Sequence, residues 1–178
     1  MSYHTVSELL LKSWPIPTPA TDADKELRGK LLIVGGCKQV PGALILAATA
    51  ALRCGVGKVR LATIESFASQ LAMFIPECRV FGVRETLSGH VSAHAAEQIA
   101  EQANAVDAVL IGPGMIDETE TCQLLKELLP MIVQSETEGP TVVLDATAVS
   151  CFTRKMMADQ DSDDSNNEDS EMLLLHRF

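Results

Sequence analysis

The sequence predicts an α/β fold built on a mainly parallel sheet with helices on both faces. Three observations carry that prediction. Short apolar runs without alternation, such as residues 31–34, read as strands buried on both faces. These runs alternate with helix-length segments, the spacing expected of strand–helix–strand units. Two of the runs end in glycine corners: one passes through Gly35-Gly36 and Pro41-Gly42-Ala43 into a helix, and the other into Gly112-Pro113-Gly114. In open parallel sheets, ligands bind outside the carboxyl ends of strands, where such corners lie.

Taken in order, Thr5-x-x-Glu8 reads as a capping box opening a short amphipathic helix, with Val6, Leu9 and Leu10 at helical spacing. Pro15, Pro17 and Pro19 end it, because proline cannot continue a helix and biases its predecessor toward extended backbone. Residues 42–53 are long enough for a helix, and Ala47, Ala48, Ala50 and Ala51 allow it to pack closely on a sheet. Gly55 suits its C-terminal cap. A strand over 59–63, a helix over 66–74 stopped by Pro76, and a strand over 79–83 follow. The next helix is expected over 91–103, with Val91, Ala95, Ile99 and Ala103 on one face. After a strand over 106–111 comes a helix over 119–133, whose apolar face is Leu124, Leu125, Leu128, Leu129 and Ile132. A strand over 141–144 delivers Asp145 to its C-terminal end.

Residues 159–171 are Asp/Ser/Asn/Glu-rich and read as an acidic, disordered surface loop, since such a stretch buries no apolar area. An apolar run over 172–175 then leads to the last residue, Phe178, as if a new element were starting. The expectation is a single partial domain over 1–178, incomplete at its C-terminus.

Length and composition fit one globular domain with a real core: 178 residues, 47% hydrophobic. The net charge of −10 misleads, because seven acidic residues within 159–171 account for all but −3 of it. No basic stripe with interleaved aromatics is present, which disfavours nucleic acid as a partner. The longest apolar stretch, 42–52, is too short to span a bilayer, so no membrane role is expected. The N-terminus lacks signal-peptide order, and the reading is a cytoplasmic location with a mitochondrial form left open. Cys37, Cys54, Cys78, Cys122 and Cys151 are odd in number, widely spaced and without a Cys-x-x-Cys pair, which suits reduced thiols.

Each candidate site has a plainer reading beside it. The corner over 35–43 either contacts a ligand or is a tight connection; its glycines, Gly36 and Gly42 among them, would let backbone amides approach a ligand. It is not a dinucleotide fingerprint, and Gly55-Val56-Gly57 precedes a strand instead of following one. Gly112 and Gly114 gain weight from their place between a strand and a helix, whose N-terminus could offer amides to an anion. Asp145 is either a site carboxylate or a helix N-cap. His90, His94 and Glu97 have a spacing that can bind zinc, but no further ligand accompanies them, and a solvent-exposed helix face is the reading taken. Cys37 in the first corner reads as a buried thiol, not a nucleophile.

Together these stretches resemble the ADP/ATP-dependent NAD(P)H-hydrate dehydratases, a carbohydrate-kinase-like family with a ribokinase-type fold. The match is collinear from Lys25 to Ser150. Lys25-Glu26-Leu27-Arg28-Gly29 is similar to the family's Lys-Gly-x-x-Gly, with Glu26 replacing the first glycine. Leu32-Ile33-Val34-Gly35-Gly36-Cys37, Pro41-Gly42-Ala43, Ala51-Leu52-Arg53-Cys54-Gly55-Val56-Gly57, Pro76-Glu77, the run Asp107 to Gly114, and Leu144-Asp145-Ala146 match further motifs in the family's order. The resemblance implies a three-layer ribokinase-like fold and nucleotide-dependent dehydration of (S)-NAD(P)H-hydrate to NAD(P)H, a lyase reaction of metabolite repair. In it a nucleotide phosphorylates the hydrate's hydroxyl, phosphate leaves, and the double bond re-forms. ADP or ATP would be the nucleotide, with Mg2+ compatible, and a homo-oligomer is implied. Ala43, Gly112 and Gly114, with Gly36, Gly42 and Asp145, would hold hydrated NADH or NADPH.

The sequence departs from the family where Thr147 replaces a second Asp, Ser150 an Asn, and Met115-Ile116 a Leu-Gly. The family's Thr-Pro-His-Pro-Gly-Glu, its nucleotide-binding Lys-Gly and its Gly-Thr-Gly-Asp, whose Asp is the base, do not occur in the sequence. The catalytic residues are therefore unassigned, and solo catalysis by these 178 residues is not expected. Two other readings stay open: a different ribokinase-type kinase of small vitamin-precursor alcohols, and a non-catalytic partner or pseudoenzyme.

Overall fold

The computed structural model describes residues 7–13, 15, 24, 25, 27–133 and 139–151. In chain order the elements are α1 (Glu8–Ser13), β1 (Lys30–Val34), α2 (Gly42–Arg53), β2 (Lys58–Ile64), α3 (Glu65–Phe74), β3 (Arg79–Val83), a 3₁₀ turn (Ala93–Ala95), α4 (Ala96–Ala103), β4 (Ala108–Ile111), α5 (Glu118–Ile132) and β5 (Thr141–Leu144). A helical turn over 147–151 follows.

The apolar run of β1 lies mid-sheet, with Leu32, Ile33 and Val34 fully buried. β2 pairs on one side of it and β4 on the other, placing Val34 level with both Ala62 and Ile111. The five strands run β3-β2-β1-β4-β5, and every pairing is parallel. The alternation of strands and helices is thus read correctly from sequence as a parallel α/β sheet.

Each face has its own core. On one, α4 and α5 bring Ile99, Ala103, Leu124, Leu128 and Ile132 against Leu32, Val34, Val109 and Ile111. On the other, α2 and α3 bring Leu44, Ala48 and Leu71 against Ile33, Val59 and Leu61. So the connection after β1 runs over one face toward β2, while that after β4 runs over the opposite face toward β5. A crevice opens between the carboxyl ends of β1 and β4, the place where doubly wound sheets bind ligands.

Some expectations are corrected. No single helix covers 91–103: Val91 bridges Glu85 in antiparallel fashion, Ser92 caps a 3₁₀ turn, and α4 begins only at Ala96. The apolar period is real, but Ser92 Oγ accepts from the His94 N–H and stops the helix from extending backward. β4 starts at Ala108, because Asp107 is used to fasten neighbours: its Oδ2 accepts from the Lys30 N–H at 2.8 Å. In α1 no described residue is buried, and Leu9 is 81% exposed, so the amphipathic pattern there is not matched by packing among the described residues. Thr5 and residues 159–175 lie outside the described residues; Ser7 Oγ accepts from the Leu10 N–H at the start of α1.

The cysteines are not all reduced. Cys122 on α5 and Cys151 in the 147–151 turn form a disulfide across a sequence separation of 29. Their Cα atoms come within 5.2 Å because the turn folds back onto α5, a proximity that linear spacing does not reveal. Cys37, Cys54 and Cys78 are free.

Candidate functional site

The two glycine corners meet at the crevice, and backbone geometry shows why they must be glycine. The Gly36 N–H donates to the Pro113 carbonyl at 2.7 Å, joining the corners directly. A Cβ on Gly35 would lie 2.2 Å from that same carbonyl oxygen. Gly112 has φ 130°, and a Cβ there would lie 1.9 Å from the Asp145 carbonyl oxygen. Only a residue without Cβ permits approaches this close. Gly114 completes the contact: its Cβ position is 3.1 Å from both the Ala43 Cβ and the Gly36 Cα.

The structure therefore gathers Gly36, Ala43, Gly112, Gly114 and Asp145 at one edge of the sheet. Gly42 joins them as the first residue of α2, with nothing within 4 Å of its Cβ position. Asp145 is exposed at the end of β5; its N–H donates to the Ile111 carbonyl and its carbonyl accepts from the Ala148 N–H. Ala146 beside it has φ 50°, a left-handed conformation uncommon outside glycine. Thr147, one of the departures from the family pattern, donates through Oγ1 to the Met115 carbonyl at 2.7 Å. An ionised aspartate could not make that bond, so the 112–116 corner is tied down here by a hydroxyl in place of a carboxylate.

A narrow cleft lies beside the corners, lined by Gly36, Cys37, His90, Met115, Asp117 and Thr121 among others. Asp117 caps α5, its side chain accepting from the Glu120 N–H at 3.0 Å. Cys37 is 1% exposed. Thr63, at the end of β2, is also buried, and its Oγ1 has no hydrogen-bond partner among the described residues. That oxygen lies 2.9 Å from the Cβ position of Gly36.

Sequence reasoning missed His90 and Thr63. His90 was assigned to an exposed helix face, but it precedes the 3₁₀ turn and lines the cleft, whereas His94 is exposed. The only sequence signal was the Ser-Gly dipeptide before His90, a turn marker that breaks the helical reading. Lys25, Arg28 and Gly57 lie at the opposite, amino edge of the sheet, where the Gly57 N–H donates to the Arg28 and Gly29 carbonyls. Among the described residues no three His, Cys, Asp or Glu side chains converge as a metal site, and no helix is long and apolar enough to cross a membrane.

Comparison with known proteins places this geometry among relatives. A family model described as NAD(P)H-hydrate dehydratase matches residues 31–167. The ADP-dependent (S)-NAD(P)H-hydrate dehydratase of Xanthomonas campestris pv. campestris is 44% identical over 147 residues, covering 82% of this chain and 47% of the relative. The bifunctional NAD(P)H-hydrate repair enzyme Nnr of Moorella thermoacetica is 36% identical over 152 residues, covering 84% of this chain and 28% of the relative. A ribokinase-like superfamily protein from Enterococcus faecalis superposes with a TM-score of 0.64 at 24% identity, over 85% of this chain and 48% of that one. The ADP/ATP-dependent NAD(P)H-hydrate dehydratase of Bacillus subtilis, co-crystallized with ATP/Mg2+, gives 0.54 at 24% identity, over 74% and 42%. These structures share the fold, and the chain spans about half the length, or less, of the curated relatives it matches.

Proposed function

The chain belongs to the NAD(P)H-hydrate dehydratase family, and from that membership we propose a role in nicotinamide nucleotide repair. The reaction is nucleotide-dependent dehydration of (S)-NAD(P)H-hydrate to NAD(P)H. A phosphoryl group passes from ADP or ATP to the hydrate's hydroxyl; phosphate then departs with that oxygen, and a proton is lost as the ring double bond re-forms. The part assigned to these residues is holding the hydrated nucleotide.

One observation carries the reading: the Gly35–Gly36 and Gly112–Gly114 corners lock together at the sheet's switch point, through the Gly36 N–H to the Pro113 carbonyl. Ala43, Gly42, Gly36, Gly112, Gly114 and Asp145 are the residues proposed to face the hydrate. Mg2+ in this reading would come with the nucleotide's phosphates, because Mg2+ is usually held by one or two carboxylates plus phosphate oxygens. Asp145 at the strand end is the described carboxylate that fits such a role, and no step is assigned to the ion. A cytoplasmic location and assembly into a homo-oligomer belong to the same proposal.

The test is melting of the full chain with and without hydrated NADH, followed by addition of ADP or ATP. A ligand that binds only the native state raises the melting temperature by mass action. The expected result is a rise with hydrated NADH, without return of NADH absorbance from these 178 residues alone once nucleotide is added. No response to hydrated NADH, with a clear one to a small vitamin-precursor alcohol, would move the protein to another branch of ribokinase-type enzymes. Return of NADH absorbance with these residues alone would show that they supply the catalytic base as well as the hydrate site.

A further inference from the structure

The Cys122–Cys151 disulfide ties the 147–151 turn to α5 beside the glycine corners. Asp145, Ala146, Val149 and Ser150 are exposed, and of residues 145–151 only Ala148 and Cys151 are buried. The Ala148, Val149 and Ser150 N–H groups donate to the carbonyls of Asp145 and Ala146, inside the turn itself. Ala146 has φ 50°, a left-handed conformation that a residue other than glycine keeps only where its surroundings hold it there. The disulfide is a covalent hold of that kind.

The anchored turn in its own right holds the second corner. Thr147 Oγ1 donates to the Met115 carbonyl at 2.7 Å, and the Met115 N–H donates to the Gly112 carbonyl at 2.9 Å. Between them, the Pro113 carbonyl accepts from the Gly36 N–H of the first corner at 2.7 Å. A continuous series of bonds therefore runs from the disulfide, through Thr147, to both corners. The same chain keeps Cys37, Cys54 and Cys78 as free thiols, with Cys54 exposed. Exposed thiols suit a reducing compartment, where a disulfide is usually transient and serves redox sensing.

We propose that the Cys122–Cys151 pair is a redox-sensitive clasp on the hydrate site. Closed, it holds the 112–115 corner in binding geometry through Thr147; open, it releases the turn and weakens the site. The proposal rests on the functional reading above, cytoplasmic location included. Opening is thiol–disulfide exchange with a small thiol of the glutathione class. The thiolate attacks the half-buried Cys122, forms a mixed disulfide there and frees Cys151. A second thiol then frees Cys122. Two electrons and two protons pass to the protein, the S–S bond becomes two thiols, and the attacking pair leaves as its own disulfide. Closing is the reverse, with that small disulfide as oxidant.

The test is the dissociation constant of the full chain for hydrated NADH, first oxidised and then reduced with dithiothreitol. Mass spectrometry of alkylated peptides reads the state of the pair. Expected is about a tenfold loss of affinity on reduction, within the usual range of coupling between two sites, restored on reoxidation with glutathione disulfide. Amide exchange over 112–115 should rise on reduction, a readout that needs no variant. Thr147→Val cuts the relay but keeps the disulfide, so it should bind weakly in both states. Thr147→Ser keeps the hydroxyl and should respond as wild type does, and Cys54→Ser should leave the response unaltered. A bond that stays closed in millimolar reduced glutathione is a structural one and overturns the inference. So do equal affinities once the pair is shown to be open, or a full response in Thr147→Val; each of these leaves the functional reading standing. Wild-type protein that binds no hydrated NADH in either state overturns the functional reading, and this inference with it.

Discussion

Glycines that look alike in the sequence differ at the level of single residues. Gly112 has φ 130° and a Cβ position 1.9 Å from a backbone oxygen, so Gly112→Ala combines a conformational penalty with a clash that no side chain can relieve. A loss of roughly 3 kcal/mol or more is expected in chemical denaturation. Gly42 opens α2 with free space around its Cβ position, so Gly42→Ala should be neutral or stabilising, by about 0.4–1 kcal/mol. If Gly42→Ala is as damaging as Gly112→Ala, the corner geometry described here is wrong. The cysteines separate in the same way. Burial, with the Glu77 charge adding to it, raises the Cys78 thiol from 9.0 to about 11. At pH 8 roughly one Cys78 in a thousand would be thiolate, whereas Cys54 is exposed. Iodoacetamide on the native protein should label Cys54 well before Cys78, as read by peptide mass spectrometry. The sign for stability follows: the fold favours the protonated thiol, so this contribution is complete below pH 9 and is lost as pH rises through about 11.

Among the elements, the disulfide is the strongest local constraint. It pins the 147–151 turn to α5, and with it the backbone of Asp145 and Thr147 at the site edge. For a loop of 29 residues, the chain-entropy estimate is roughly 3–4 kcal/mol. Reduction, or Cys151→Ser, should lower the melting temperature and raise amide exchange over 145–151 while β1 stays protected; exchange unchanged in that turn would show that Cys151 does not hold it. This link was not legible in the sequence, because only the fold brings residues 122 and 151 together. What was legible came from locally encoded features. The apolar runs of β1 and β5, the alanine-rich α2 and the leucine stripe of α5 each carry their own period, and both glycine corners are marked by residues that few other structures require. The start of α4 was misread, since the apolar spacing over 91–103 continues across a turn whose hydrogen bonds come from Ser92 and Thr86. The same misreading hid His90, which reaches the cleft only because that segment is not helical.

The whole molecule is graded from centre to edge, and the site sits at the centre. Leu61, Ile33, Leu110 and Val143 stand level across β2, β1, β4 and β5, on one face of the sheet. Leu61 and Ile33 are fully buried, Leu110 is half-buried and Val143 is 46% exposed. α2 and α3 cover the first part of this row, and among the described residues no element packs over its far end. Truncating a buried Ile costs about 2–5 kcal/mol through lost transfer energy and cavity formation, so Ile33→Ala should fall in that range. Val143→Ala, at the same level of the same sheet face, should cost less than about 1 kcal/mol. Denaturation midpoints of the two variants measure the gradient directly, and similar losses would mean that β5 is as deeply packed as β1, with further chain covering its outer face. The gradient bears on function because both glycine corners leave from β1 and β4, whose carboxyl ends meet at Val34 and Ile111, each fully buried. For the proposed role the two corners must hold still, and both are fastened to the least yielding strands of the sheet.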